Sequence, residues 1–191
     1  MNDPTYIGFT AAPTVLGRLI RWASDAPVSH VFFAWGYSYG DFGGLMTLGA
    51  NPNGLTVAPI EHFAHSRPQL YKVVDPEVDL WEGVRKYRDM IDCPYAYGAL
   101  LGMGMVELAR HLLRRRLANP FLSHATLFCS EYVTRLMKAG RVKMPSPPPA
   151  AGSTDPGQVL RIVLASKQFK EEKLVPVVNS RTGQVPRLGP A

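Results

Sequence analysis

The sequence predicts an α+β domain, an antiparallel sheet packed against helices. Three observations predict it. Strand-like runs separated by Gly/Pro/Asn turns fill the first half, helical spacing takes over from residue 76, and 46% apolar with 19% charged residues is ordinary globular usage. At ~150 residues per domain, 191 residues make one domain with room for an appendage, long enough to bury a real core.

Residues 6–10 are the first strand candidate. Residues 14–23 carry Val15, Leu16, Leu19, Ile20 and Trp22 at helical spacing, and Pro27 ends that unit. Three strand-like runs follow, at 29–35, 45–50 and 55–60. The glycine-rich stretch 36–44 reads as a hairpin loop and Asn51-Pro52-Asn53-Gly54 as a tight turn. In the run 29–35, Val31, Phe33 and Trp35 alternate with His30, Phe32 and Ala34. Both sets are largely apolar, which predicts a central strand covered on both faces.

Residues 69–74 are a fourth strand. Asp75-Pro76 reads as an N-cap with proline at the first helical position, opening a helix with Trp81, Val84, Tyr87 and Ile91 on one side. A second helical block runs over 97–117 and a third over 126–138, the latter closed by Gly140 as its C′ residue. A Pro-rich loop at 145–153 precedes Asp155-Pro156, which starts a short helix ending at 165. From 166 onward the chain is polar, charged and dotted with proline. Residues 1–165 are therefore read as the domain and 166–191 as an extended or partly disordered tail.

Two cysteines, Cys93 and Cys129, are too few for a disulfide scaffold. With scattered histidines they offer no tetrahedral metal spacing, and the glycines at 36, 40, 43 and 44 lack phosphate-loop order, so no cofactor is expected. The start lacks a basic stretch followed by a long apolar run, and no apolar stretch reaches the ~20 residues of a spanning helix. The chain reads as made in the cytoplasm without a signal peptide. Its net charge of +6 favours anionic partners, such as an anionic membrane or a wall polymer. No nucleic-acid motif accompanies it, and nucleic acid is not an expected partner. Arg110, Arg114, Arg115 and Arg116 flank an apolar helix face in 100–116, read as core packing with a solvated rim or as a helix lying on a membrane.

The sharpest site candidate is Cys129, in Phe128-Cys129-Ser130-Glu131-Tyr132-Val133. With Thr126 or Ser123 as cap, Cys129 falls in the first helical turn, where unpaired N–H groups and the dipole favour a thiolate. The dipole supplies ~0.3–1 kcal/mol against about 1.36 kcal/mol per pKa unit, so a reactive thiol needs a further cation, commonly His⁺. His30, at the start of the central strand, is the first candidate and His124 the second. His62, His65 and His111 read as surface residues, and Cys93 as a small packed hydrophobe. Glu131 lies on the Cys129 helix but points away from the thiol, and reads as structural.

Taken together, these stretches resemble the permuted papain-like hydrolases of the NlpC type, the YaeF/YiiX group, in which the histidine precedes the cysteine. Ser29-His30-Val31 resembles the group's histidine strand, and residues 50–59 its second strand, turn and third strand. Pro94-Tyr95 resembles a "PYD" element with Ala96 in place of the acid. Residues 128–133 resemble "FCSELV", and residues 155–160 resemble the closing turn and helix. The resemblance implies a circularly permuted papain-like fold, with Cys129 as nucleophile at a helix N-terminus and His30 as general base. It also places an acid just before the alanine of the second strand, to orient the histidine. Here that position is Gly49, leaving Asn51 and Thr47 as tentative orienters.

The activity implied is a cysteine hydrolase cleaving amide bonds, first of all a peptidoglycan amidase or endopeptidase of the kind a phage carries or an antibacterial effector delivers to a target periplasm. An immunity protein would accompany a toxin. The alternatives are a lipid or N-acyl amide or ester hydrolase or acyltransferase, and a catalytically inactive binding module on the same fold.

Overall fold

A computed structural model describes residues 3–39, 42–51, 54–90, 128–177 and 187–190. The architecture is α+β, as the sequence predicts. Six strands, β1 (Thr5–Thr10), β2 (His30–Tyr39), β3 (Phe42–Asn51), β4 (Gly54–Pro59), β5 (Gln69–Val73) and β6 (Phe169–Glu172), form one antiparallel sheet in the order β4-β3-β2-β1-β5-β6. The helices are α1 (Val15–Ser24), α2 (Leu80–Lys86), α3 (Cys129–Ala139) and α4 (Pro156–Ala165). Strands β7 (Leu174–Val177) and β8 (Arg187–Pro190) pair as a separate ribbon. No described helix is long and apolar enough to cross a membrane.

β2 is interior, as its two apolar faces require. Val31 and Phe33 join Ile7, Phe9 and Leu48 in a core shared with Tyr132, Val133 and Leu136 of α3. Phe32 and Ala34 point the other way, into a smaller cluster with Tyr6, Leu45, Ile60 and Leu70, against which Phe63 packs. Gly8 lies opposite Phe32 in the β1–β2 register, and a Cβ there would run into the Phe32 ring. Glycine is needed at that position because the ring occupies the space of a side chain.

Several helix expectations are corrected. Asp75 does not cap α2. Its carboxylate accepts from the Glu77 amide (2.9 Å) in a local turn, and Asp79 is the N-cap, accepting from the Trp81 amide (2.9 Å). An Asp-Pro pair serves a turn as readily as a cap, and here the turn wins. The expected face survives in part: Trp81, Val84 and Tyr87 pack on the core, while Ile91 lies outside the described residues. Helix α3 starts at Cys129 with Phe128 in the N-cap position and no side-chain cap bond from it, while Ser123 and Thr126, the expected caps, lie outside the described residues.

At its other end the left-handed residue is Arg141 (φ 65°), not Gly140 (φ −77°). The Arg141 amide donates to Lys138 O (3.4 Å) and the Val142 amide to Met137 O (2.9 Å), a Schellman closure. Gly140 is glycine for another reason: a Cβ there would sit 2.8 Å from the Asp79 carbonyl oxygen, where the start of α2 abuts the end of α3. Helix α4 begins as expected, with Asp155 accepting from the Gln158 amide (2.8 Å) and Pro156 at the first position.

Helix α1 has its apolar stripe outward. Gly17 and Ser24 are its buried residues, whereas Val15, Leu19 and Trp22 are 80, 45 and 49% exposed. Strand β6 lies beyond residue 165, in the segment read as a tail. It is extended, and it pairs with β5 at the sheet edge. The helical block expected at 97–117, with its arginines, falls outside the described residues.

Candidate active site

The two candidate residues, Cys129 and His30, lie in the first turn of α3 and at the start of β2. The β2–β3 ladder begins only at Phe33↔Leu48, so residues 30–32 pair with β1 alone. Cys129, the first residue of α3, is a buried free thiol in the core on the α3 side of the sheet. Burial pushes its thiol up to about 11, and hydrogen bonding from the backbone amides of Val31, Ser130 and Cys129 itself pulls the other way. The expected helix-start donors are therefore present at Sγ, but desolvation outweighs them and the resting thiol is neutral.

His30 opens β2, and its ring lies on the other side of the sheet. It packs 6.1 Å from the Phe32 ring and 5.5 Å from the Phe63 ring, which themselves stack 4.7 Å apart. Desolvation lowers its imidazole to about 4, so it is neutral at physiological pH. Its Nε2 is buried and, among the described residues, has no hydrogen-bond partner. No hydrogen bond joins the imidazole to Sγ in this arrangement. The two residues are nonetheless close along the backbone. The Val31 amide at Sγ belongs to the His30–Val31 peptide, so the thiol lies beside the backbone that carries His30.

Gly49 borders that pocket. A Cβ there would lie 3.4 Å from His30 Nε2 and 3.1 Å from Phe32 Cβ. The position at which the family resemblance places an acid is thus the one that faces the orphaned nitrogen, and glycine leaves it empty of a carboxylate. Thr47 does not take over the role: it is buried, and its hydroxyl donates to Ala58 O (2.8 Å). The side chain of Asn51, the last residue of β3, lies outside the described residues, as do Cys93, His111 and His124.

Gly49→Asp is expected to raise the His30 pKa by about 1–3 units, because a carboxylate beside Nε2 favours imidazolium. NMR titration of the His30 ring protons checks it, with Gly49→Ala controlling for steric crowding against Phe32. A His30 pKa equal in the two variants would show that residue 49 does not face the ring.

His62 is exposed, as read. Glu131 is structural, as read: it is 7% exposed and accepts from Arg135 Nη2 (2.7 Å), while the Arg135 guanidinium lies 5.8 Å from the Tyr87 ring centre. Phe63, in the 3₁₀ turn Ile60–Ser66, is the site residue that sequence reasoning missed. Nothing in local spacing announces it, because it reaches His30 only through the sheet. Among the described residues no three His, Cys, Asp or Glu side chains gather as a metal-binding group.

No family model and no curated protein sequence matches the chain. Among solved structures it is similar to YiiX from Escherichia coli O157:H7, described as a metalloprotein of the DUF1105 group. The identity is 11% over 88% of this chain and 95% of that one, with a TM-score of 0.45. A likeness at this level transfers no residue roles.

Proposed function

We propose that the protein is a cysteine hydrolase acting on acyl bonds, with Cys129 as nucleophile and His30 as general base. One observation carries the reading: a buried thiol at the first position of a helix, ringed by backbone amides, one of which belongs to the peptide that follows a histidine with an unpartnered Nε2. The order of motifs shared with permuted papain-like hydrolases supports it.

In the proposed reaction the imidazole turns to Sγ and takes its proton, and Sγ attacks the substrate carbonyl carbon. The oxyanion formed is met by the α3 N-terminal amides. His30 returns the proton to the leaving amine as the C–N bond breaks. It then deprotonates the water that cleaves the thioester, releasing a carboxylic acid and restoring the thiol.

Peptide amides of peptidoglycan are the proposed substrate class, and lipid or N-acyl bonds the alternative. Purified peptidoglycan incubated with the protein is expected to release new primary amines, while acyl lipids in anionic vesicles remain intact. Turnover of the vesicles alone would move the assignment to lipid. A second reading, a binding module without turnover, is favoured by Gly49 and by the neutral resting thiol. Absence of turnover on both substrates would select it.

A further inference from the structure

A cavity of about 970 Å³ lies at the far end of α3 from Cys129, between the end of β5, the segment that follows α3, and the last turns of α4. Helix α3 runs 11 residues from Cys129 to Ala139, ~16 Å at 1.5 Å per residue, so this cavity is separate from the thiol. Its volume is in the range of small-molecule pockets, and it is broadly open to solvent. The walls are mainly apolar, with Met144, Pro147 and Ile162 contributing.

Three cations, Lys143, Arg161 and Lys167, stand on its lining, all exposed. Among the described residues neither Arg161 nor Lys167 has an ion-pair partner. The one acid is Asp75, and its carboxylate is occupied: Oδ1 accepts from the Glu77 amide (2.9 Å) and Oδ2 from Gln168 Nε2 (2.9 Å). Those bonds and the Lys143 charge hold its carboxyl below the usual range. Gln168, 4% exposed, also accepts from the Lys143 amide (2.6 Å), which fixes the floor beneath the cations. A pre-formed apolar hollow with a surplus of positive charge matches a ligand with an apolar body and an anionic head.

We propose that this cavity binds an anionic amphiphile, an acyl chain bearing a carboxylate or phosphate. The chain lies against Met144, Pro147 and Ile162 while the head meets Arg161 and Lys167. Binding does not depend on Cys129, so Cys129→Ala retains it even if the hydrolase reading fails.

The test is displacement of a dansyl-labelled undecanoate from the full chain, below the micellar concentration of every competitor. Dodecanoate and dodecyl phosphate are expected to compete, dodecanol at least tenfold less well, and acetate and inorganic phosphate not at all. The variant Arg161→Glu/Lys167→Glu, two exposed positions, should bind the probe at least tenfold more weakly with an unchanged melting temperature. Three results would each overturn the proposal: no saturable binding, dodecanol matching dodecanoate, or the charge-reversed variant binding as the wild type does. Acetate or phosphate competing as well as dodecanoate would reduce the site to an ion contact and overturn it too.

Discussion

Cys129→Ala is expected to lower turnover on the substrate found by at least a thousandfold while leaving the fold intact. The side chain is 4% exposed and belongs to the core cluster that also holds Val31, Tyr132 and Val133. Alanine removes only the sulfur and shortens nothing in the backbone, so the cost in stability stays at about 1–2 kcal/mol. Turnover responds differently, because the thioester route needs a nucleophile and no neighbouring group replaces it. Cys129→Ser keeps a nucleophilic atom but places a hydroxyl, a far weaker acid than a thiol, where desolvation already pushes the thiol up to about 11. Serine is therefore expected to lose as much as alanine. Steady-state assays beside thermal melts separate the two effects, and full activity in Cys129→Ala would remove the thiol from the chemistry.

Phe32→Ala is expected to have the largest effect on stability. The ring is fully buried, sits over Gly8, stacks on Phe63 and borders His30. Deleting such a ring costs about 3–5 kcal/mol, roughly 6–20 °C in Tm for a domain of this size. The same change hydrates the imidazole and lets its pKa rise from about 4 towards 6.5. That shift has a signature of its own. Between pH 6.5 and about 4 the unfolded chain takes a proton on His30 that the native state refuses, so wild-type stability falls as pH falls through that window. Above 6.5 the histidine is neutral in both states and adds no slope. In Phe32→Ala the window narrows and the His30 share of the acid-side loss shrinks. Denaturant melts at pH 7 and pH 4.5 read both parts. Equal acid-side loss in wild type and variant would show that the ring does not desolvate His30.

The fold was legible where side-chain period and cap chemistry agree. Two apolar faces on 30–35 gave a central strand, and Asp155-Pro156 placed the start of α4 because the carboxylate has a free amide to accept from and proline needs none. Three features were not legible. β6, with the sequence Phe-Lys-Glu-Glu, is an edge strand whose charged residues suit solvent, so its composition resembles a tail. The outward stripe of α1 goes with an inward face made by Gly17 and Ser24, where a Cβ at Gly17 would run into the Ala12 carbonyl of the segment leading into the helix. The place of Gly140 is set by Asp79 across a tertiary contact, which no local rule sees.

The candidate residues stood out in the sequence, but their arrangement in space did not. Phe128 to Val133 located the thiol at the start of a helix, and the strand placed His30 beside Val31. That the thiol and the ring rest on different sides of the sheet, with Phe63 holding the imidazole, depends on packing between distant segments. Gly49 shows the same division. Its identity stood out as a departure from the resemblance, and only the fold shows that it faces Nε2.

The most direct test of the Cys129–His30 assignment is the pH dependence of Cys129 alkylation, followed by peptide mass spectrometry in wild type and His30→Ala. Burial, only partly offset by the backbone amides, holds the thiol up at about 11, which leaves it nearly unreactive at pH 7. If His30 accepts the proton, wild-type Cys129 is alkylated at pH 6–8 at least tenfold faster than in His30→Ala, which reacts only as pH rises towards that value. Identical profiles climbing towards 11 in both proteins would contradict the assignment and leave Cys129 a packing residue.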